Sequence, residues 1–146
     1  AEYKIALRLK PDDAVARYNM GNAYERKGLL NEAISEYRSA IKLKPDYLQA
    51  HSNLGNVYFA LGQIENAINE FRESLRLIPD VAETHNNLGV AYGAQGKFVD
   101  AIMEFKTALR LKPGFDKASE NLRMTYRKAG LNNDNDQQGR AGTARQ

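Results

Sequence analysis

The sequence repeats itself with a fixed step of 34 residues and without insertions. Two series of glycines keep this step, as do one series of alanines and one of prolines. These residues are Gly21, Gly55 and Gly89; Gly28, Gly62 and Gly96; Ala33, Ala67 and Ala101; and Pro45, Pro79 and Pro113. A period of this length is typical of an array of repeated units, each of which packs only on its neighbours. The chain is therefore expected to form an elongated array without one central core.

Each repeat has the pattern of two antiparallel helices. The second glycine series lies where the first helix has to stop, a position that favours glycine because the backbone there is left-handed. The prolines end the second helix, because proline lacks an N–H and restricts the residue before it. Aspartates near the prolines are the expected N-caps, and an acid or amide three residues later completes a capping box. The expected caps are Asp12, Asp46 and Asp80, with Gln49 and Glu83 as their partners.

The first glycine series is expected to let the two helices of a repeat come close together. Glycine has no side chain, so the second helix can approach Gly21, Gly55 and Gly89 through the alanines Ala33, Ala67 and Ala101. A bulky residue at any of these glycines should push the helices apart.

The positions that recur define a recognisable motif. They are Gly21, Tyr24, Ala33, Tyr37, Ala40 and Pro45; Leu54, Gly55, Tyr58, Ala67, Phe71 and Pro79; and Leu88, Gly89, Tyr92, Ala101, Phe105, Ala108 and Pro113. This motif resembles the tetratricopeptide repeat, over residues 1 to about 131. The resemblance implies an all-α fold, a right-handed superhelical solenoid of antiparallel helix pairs. The repeats are also similar to the superhelical arrays of O-linked N-acetylglucosamine transferases.

The period also divides the chain. Residues 14–47, 48–81 and 82–115 are predicted to be complete repeats, and residues 1–13 match the second helix of a truncated one. Residues 116–131 are expected to form a capping helix, because Arg123 replaces the close-packing glycine there. Residues 132–146 have no apolar period and are predicted to be disordered.

Composition excludes several classes of function. Apolar residues make up 42% of the chain, which is too many for a chain that is disordered over most of its length. No apolar run approaches the roughly 18 residues that span a bilayer. Because there is no cysteine, the chain has no disulfide, thiolate metal site or cysteine nucleophile. The net charge of +3 is modest and does not by itself indicate a polyanionic partner.

No motif indicates catalysis. His51 and His85 lie at equivalent repeat positions, where the family has a packing Trp, so we expect both at a helix interface and not at a metal or an acid–base site. No glycine-rich phosphate loop, nucleophile elbow or metal-ligand spacing is present. We therefore predict that the chain is not an enzyme and that it needs no cofactor and no metal.

The resemblance implies a concave groove, lined by the first helices, in which a partner peptide binds. An asparagine recurs in all four first helices, and two more lie one turn further along the same face. A carboxamide both donates and accepts hydrogen bonds, so a row of them can bind a peptide backbone of any sequence. The predicted groove residues are Tyr18, Asn19, Asn22, Asn53, Asn56, Phe59, Asn87 and Asn121. Alternatively, these asparagines bond to the neighbouring helix, and some residues can do both.

Two other ligand classes fit less well. A carboxylate clamp of the kind that chaperone cochaperones use needs basic residues that are missing here; the best register offers Ser52, Asn56, Asn87, Lys117 and Asn121. Basic residues recur on the second helices, but glutamates recur beside them and no aromatic residues interleave as a nucleic-acid platform requires. We interpret this stripe as a solvated outer face, and we predict neither nucleic acid nor a membrane as a partner.

The sequence as a whole predicts a protein–protein interaction scaffold that binds a partner peptide or segment in its groove. Two alternatives stay open. The chain can be the substrate-recognition arm of a larger enzyme, such as a glycosyltransferase, or an assembly scaffold that self-associates through its N-terminal helix. Neither the partner nor the compartment follows from the sequence.

Overall fold

The computed structural model describes residues 12–131, and over that range every regular element is an α-helix. The helices are α1 Ala14–Arg26, α2 Leu30–Leu43, α3 Leu48–Ala60, α4 Ile64–Leu77, α5 Ala82–Ala94, α6 Phe98–Leu111 and α7 Asp116–Lys128. Each helix packs on the next one along the chain, and α3 also contacts α5, as α5 contacts α7. The predicted all-α solenoid of helix pairs is confirmed.

The core is a row of aromatic side chains, one for each repeat. Tyr37, Phe71 and Phe105 come from the second helices and are at most 1% exposed. They lie beside the fully buried alanines Ala33, Ala67 and Ala101. Tyr37 packs in one cluster with Leu54 and Val57 of the next repeat, and Phe71 packs in another with Leu88 and Ala91. The rings of Tyr37 and Phe71 therefore join the two helices of their own repeat to the repeat that follows.

The close-packing glycines meet these rings and not the alanines that the sequence pattern indicated. A Cβ atom added to Gly21 would lie 2.6 Å from the Tyr37 ring, and one added to Gly55 would lie 2.6 Å from the Phe71 ring. The same atom at Gly89 would lie 2.7 Å from Phe105. The expected close approach is confirmed, but its partner was wrong: an aromatic ring fills the space that glycine leaves.

The predicted helix ends are confirmed at the glycines. Gly28, Gly62 and Gly96 have φ angles of 73°, 72° and 73°, in the left-handed region that disfavours other residues. At the first of them, the N–H of Leu29 donates to the carbonyl of Tyr24 (3.0 Å) and the N–H of Gly28 donates to that of Glu25 (2.9 Å). This pair of bonds satisfies carbonyls that the helix end would otherwise leave without partners.

The predicted N-caps are wrong. The residue before α1 is Asp13, whose carboxylate accepts from the N–H groups of Val15 (2.9 Å) and Ala16 (3.2 Å). The helices that follow Asp46 and Asp80 begin one residue later than expected, after Tyr47 and Val81, and have no side-chain cap. Because of this shift, Gln49 and Glu83 lie in the second helical position, one short of the place a capping box needs.

Both histidines lie at the interface of a helix pair, as predicted. His51 is 6% exposed; its Nδ1 lies 2.7 Å from Glu70 of the second helix and its Nε2 lies 2.9 Å from the carbonyl of Pro45. His85 makes the same two contacts, with Glu104 (2.6 Å) and the carbonyl of Pro79 (2.7 Å). The first repeat has a salt bridge at this position, between Arg17 and Glu36 (3.0 Å). We call these three contacts, Arg17–Glu36, His51–Glu70 and His85–Glu104, the intra-repeat pairs.

Three predictions concern chain outside the described residues. The helix expected over residues 1–13, the self-association surface assigned to it and the disorder expected over residues 132–146 stay predictions. The helix Asp116–Lys128 does lie in the described part, at the position where a fourth repeat would begin.

Candidate functional site

The first helices of successive repeats form the inner row of the array. The second helices pack mainly against the first helices on either side, whereas α3 reaches α5 directly and α5 reaches α7. Helices that meet across repeats lie on the inside of a curved array. The helices α1, α3, α5 and α7 therefore line its concave side, and we call the surface that they share the groove.

Near the N-terminal end of the groove, polar side chains form a network between the first two repeats. The amide nitrogen of Asn53 lies 2.9 Å from Asn22 Oδ1, 3.2 Å from the Tyr18 hydroxyl and 3.4 Å from the Tyr37 hydroxyl. The hydroxyl of Tyr37 donates toward Asn22 Oδ1 (2.7 Å) and Glu25 Oε2 (2.6 Å). We call these five residues the N-terminal network; it ties each of its members to a partner in the protein.

The same network explains the titration behaviour of Tyr37. Its hydroxyl is buried and lies beside the carboxylate of Glu25, and both effects raise the pKa of Tyr37 because they disfavour the phenolate. The hydroxyl therefore stays protonated and remains a hydrogen-bond donor. The equivalent residues Phe71 and Phe105 have no hydroxyl, so this network is special to the first repeat.

Tyr18 is half-buried and lies between other aromatic rings. Its ring centroid is 4.9 Å from that of Tyr47 and 5.8 Å from that of Tyr37, both in tilted arrangements. The ring is thereby held in place by its neighbours, with part of its surface still accessible from the groove. Asn19 is half-buried on the same helix.

Toward the C-terminal end, carboxamides again bond from one repeat to the next. Asn87 donates to Asn56 Oδ1 (3.0 Å), and Asn121 donates to Asn86 Oδ1 (2.9 Å). Asn56 is exposed, whereas Asn86 is only 2% exposed. The alternative interpretation of the asparagines, as bonds to the neighbouring helix, is thus what the structure shows for Asn53, Asn87 and Asn121.

An apolar pocket opens next to these carboxamides. Its volume is about 220 Å³, and the predicted groove residue Phe59 forms part of its wall. The other residues that line it are Gly89, Val90, Gly93, Ala94, Phe98, Phe105, Asn121, Met124, Thr125 and Lys128. Four different helices contribute to this wall, so no single stretch of sequence indicates the pocket.

Two polar residues of the site, Glu25 and Asn86, lie outside the eight predicted groove residues. The buried Asn86 precedes the recurrent asparagine Asn87, at a position that carries Tyr18 and Ser52 in the other repeats. Likewise, a tyrosine at Tyr37 where the other repeats have phenylalanine was the available signal for the N-terminal network.

The basic stripe of the second helices is partly engaged in local contacts. Arg76 pairs with Glu73 (2.6 Å) and Lys112 pairs with Glu83 (2.9 Å). Lys44 lies over the ring of Tyr47, 5.1 Å from its centroid. Such contacts agree with a solvated outer face whose charges have partners at the protein surface.

The described residues include neither a membrane-spanning helix nor a metal-binding cluster. Between residues 12 and 131, no helix has the length and apolar character needed to cross a membrane. Over the same range, no group of histidine and acidic side chains has the arrangement of a metal site.

Comparison with solved structures finds similar helical arrays. A crystal structure of MamA is 26% identical and covers 88% of this chain and 75% of its own, with a TM-score of 0.85. The first TPR of Spaghetti (RPAP3), bound to the HSP90 peptide SRMEEVD, is 23% identical, with 80% and 93% covered and a TM-score of 0.78. The TPR domain of OM64 from Arabidopsis is 19% identical, with 79% and 95% covered and a TM-score of 0.76.

Comparison by sequence identifies the repeats themselves. No curated protein sequence matches the chain significantly. The TPR repeat model matches residues 1–28, 26–62 and 55–96, and the tetratricopeptide repeat model matches residues 82–115. None of these matches bears on the expected similarity to O-linked N-acetylglucosamine transferases. Because the two models together span most of the chain, it belongs to the tetratricopeptide-repeat family.

Proposed function

We propose that this chain is a protein-interaction module whose groove binds an extended or helical segment of a partner protein. The observation that supports it most directly is the row of carboxamides that runs along the groove from α1 to α7. Repeats of this family are in general interaction modules without catalytic activity. The RPAP3 domain, which has the same fold, was solved with a bound peptide.

The carboxamides differ in whether their NH₂ group can donate a hydrogen bond to a bound peptide. The amide nitrogen of Asn53 is held within the N-terminal network, so its substitution would disturb the protein as well as the groove. Asn56 is exposed, and between residues 12 and 131 it is bonded only through its oxygen, to Asn87, so its NH₂ group can donate to a carbonyl of a bound backbone. Tyr18 and Phe59 offer the accessible parts of their rings as apolar anchors.

The experiment starts from a display library of random linear peptides, from which the wild-type protein selects ligands. Affinities of the selected peptides are then measured for the Asn56→Ala, Asn87→Ala double variant. We expect about a tenfold loss, since each hydrogen bond contributes about 0.5–1.5 kcal/mol. The matched control is Asn31→Ala with Asn69→Ala, two exposed asparagines on the second helices α2 and α4, which should bind like wild type. Equal affinities for both double variants would contradict the proposal.

A further inference from the structure

Gly93 has no structural reason to be a glycine. Its φ angle is not positive, and a Cβ atom added to it would meet nothing within 4 Å. The close-packing Gly89, one turn earlier on α5, has the opposite environment, with Phe105 against its Cα. A glycine in a helix lowers helix stability by up to about 1 kcal/mol relative to alanine. The chain thus retains a destabilising residue at a position where the fold does not need one.

The effect of this glycine is to open the pocket. The equivalent positions in the array carry the long side chains of Glu25, Phe59 and Arg127. At Gly93 the missing side chain leaves space between Phe59 and Met124, and Gly93 itself lines the pocket of about 220 Å³. An apolar cavity of about 150 Å³ is enough to hold benzene, so this pocket has room for the side chain of a leucine, methionine or phenylalanine.

Among the residues that line the pocket, the charged one is basic. Lys128 lies in its wall, and within residues 12–131 it forms no ion pair with a carboxylate. The helix α7 carries four basic and two acidic side chains: Lys117, Arg123, Arg127 and Lys128 against Asp116 and Glu120. An apolar side chain in the pocket would therefore have a cation beside it, to which a carboxylate of the same segment is complementary.

We propose that the pocket beside Gly93 selects partner segments that place one bulky apolar side chain next to an acidic residue. This inference rests on the proposed function, because it assigns a specificity to the groove that binds the segment. The apolar side chain enters between Phe59, Val90 and Met124. The neighbouring carboxylate pairs with the ammonium group of Lys128, while the carboxamides hold the backbone.

The first test uses the peptides selected by the wild-type protein. Their sequences should share a Leu, Met or Phe with an adjacent Asp or Glu. Gly93→Leu places a side chain in the pocket at a position where an added Cβ meets nothing within 4 Å, and it should weaken these peptides about tenfold or more. Gly93→Ala adds only a methyl group and should weaken these peptides less than Gly93→Leu does. Lys128→Glu should remove the preference for an acidic neighbour. Circular dichroism and thermal unfolding verify that each variant is folded.

A second readout reports on the pocket directly. The chain has three methionines, and Met124 is 42% exposed in the pocket wall. Labelled with ¹³C-methyl methionine, the protein should show a ligand-induced shift of the Met124 signal. Met103 lies on α6 outside the pocket and should not shift.

The outcomes separate this proposal from the proposed function. If the asparagine double variant loses affinity while Gly93→Leu binds like wild type and Met124 does not shift, the pocket proposal is overturned and the groove function stands. If no peptide binds the groove at all, both fail. Loss of affinity in Gly93→Leu together with a shift of Met124 supports both.

Discussion

The intra-repeat pairs place either an arginine or a histidine at the same position of the repeat. Arg17 and His51 each join the first helix of a repeat to a glutamate on the second. An arginine is always charged near neutral pH, whereas a histidine is not. Both ring nitrogens of His51 face an acceptor, Glu70 and the carbonyl of Pro45, and only the protonated ring can donate to both. The hydrogen bond to Glu70 therefore raises the pKa of His51, although burial opposes it.

This geometry predicts a dependence of stability on pH. The pKa of His51 is raised above its ordinary value of 6.5. The stabilisation of the folded protein by the His51 ring is therefore fully present below pH 6.5, and it is lost as the pH rises through the raised pKa. We expect the free energy of unfolding of wild type, minus that of His51→Gln, to be larger at about pH 6 than at about pH 9. Urea unfolding of both proteins at the two pH values measures this difference. Any contribution of His85 to the free energy of unfolding is the same in both proteins and cancels in the difference.

The control for this prediction is His51→Arg. It copies the Arg17–Glu36 pair, and arginine does not titrate over this range. Its stability relative to His51→Gln should therefore not change between the two pH values. A wild-type difference that is equally constant would show that the His51 ring does not change its charge in this window.

At the scale of the helix, two glycines of the first helices have different roles. Gly55 lies against the ring of Phe71, whereas Gly93 faces open space in the groove. Both are in first helices, and both would gain helix stability from a methyl group. Their packing differs, and packing decides whether an added methyl group stabilises or destabilises the protein.

We expect Gly55→Ala to destabilise the protein by about 1–3 kcal/mol, since its Cβ would lie 2.6 Å from a buried ring that cannot move away. Gly93→Ala should instead stabilise it, by up to about 1 kcal/mol. The urea midpoints of the two variants and of wild type measure both effects. A loss of stability in both variants would contradict the distinction between packing and groove glycines.

Features that depend on the local backbone could be predicted from the sequence, whereas features that depend on tertiary packing could not. The glycines that end the first helices were predictable, because a left-handed residue at Gly28 or Gly62 is a local requirement. The N-caps were not, because an aspartate near a proline does not fix the residue at which the next helix begins, as Asp46 shows. The asparagine row of the site was predictable from its period. The pocket was not, because it depends on side chains from four helices and on one that is missing at Gly93.

The whole molecule is held together by contacts between neighbours. Each helix in the middle of the array packs on helices before and after it, whereas α7 contacts only α6 and α5 among the described helices. In such an array, stability is approximately the sum of the units and of the interfaces between them. The local free energy of opening should therefore decrease toward the α7 end.

Hydrogen exchange tests this expectation. Backbone amides in the middle of α3, α4 and α5 should exchange more slowly than those in the middle of α7, by about tenfold or more. The comparison is made between central turns, so that fraying at helix ends does not contribute. Equal protection in α4 and α7 would mean that the array opens as one cooperative unit.

The intra-repeat pairs also bear on how an array of this kind changes length. Each pair joins two helices of one 34-residue unit, so a tandem duplication of residues 48–81 would carry its own His–Glu pair with it. The contacts between units use carboxamides that recur with the same step, as in Asn87 with Asn56. A duplicated unit would meet matching partners on both sides. A change in length by whole units would thus keep this carboxamide contact at the new junction.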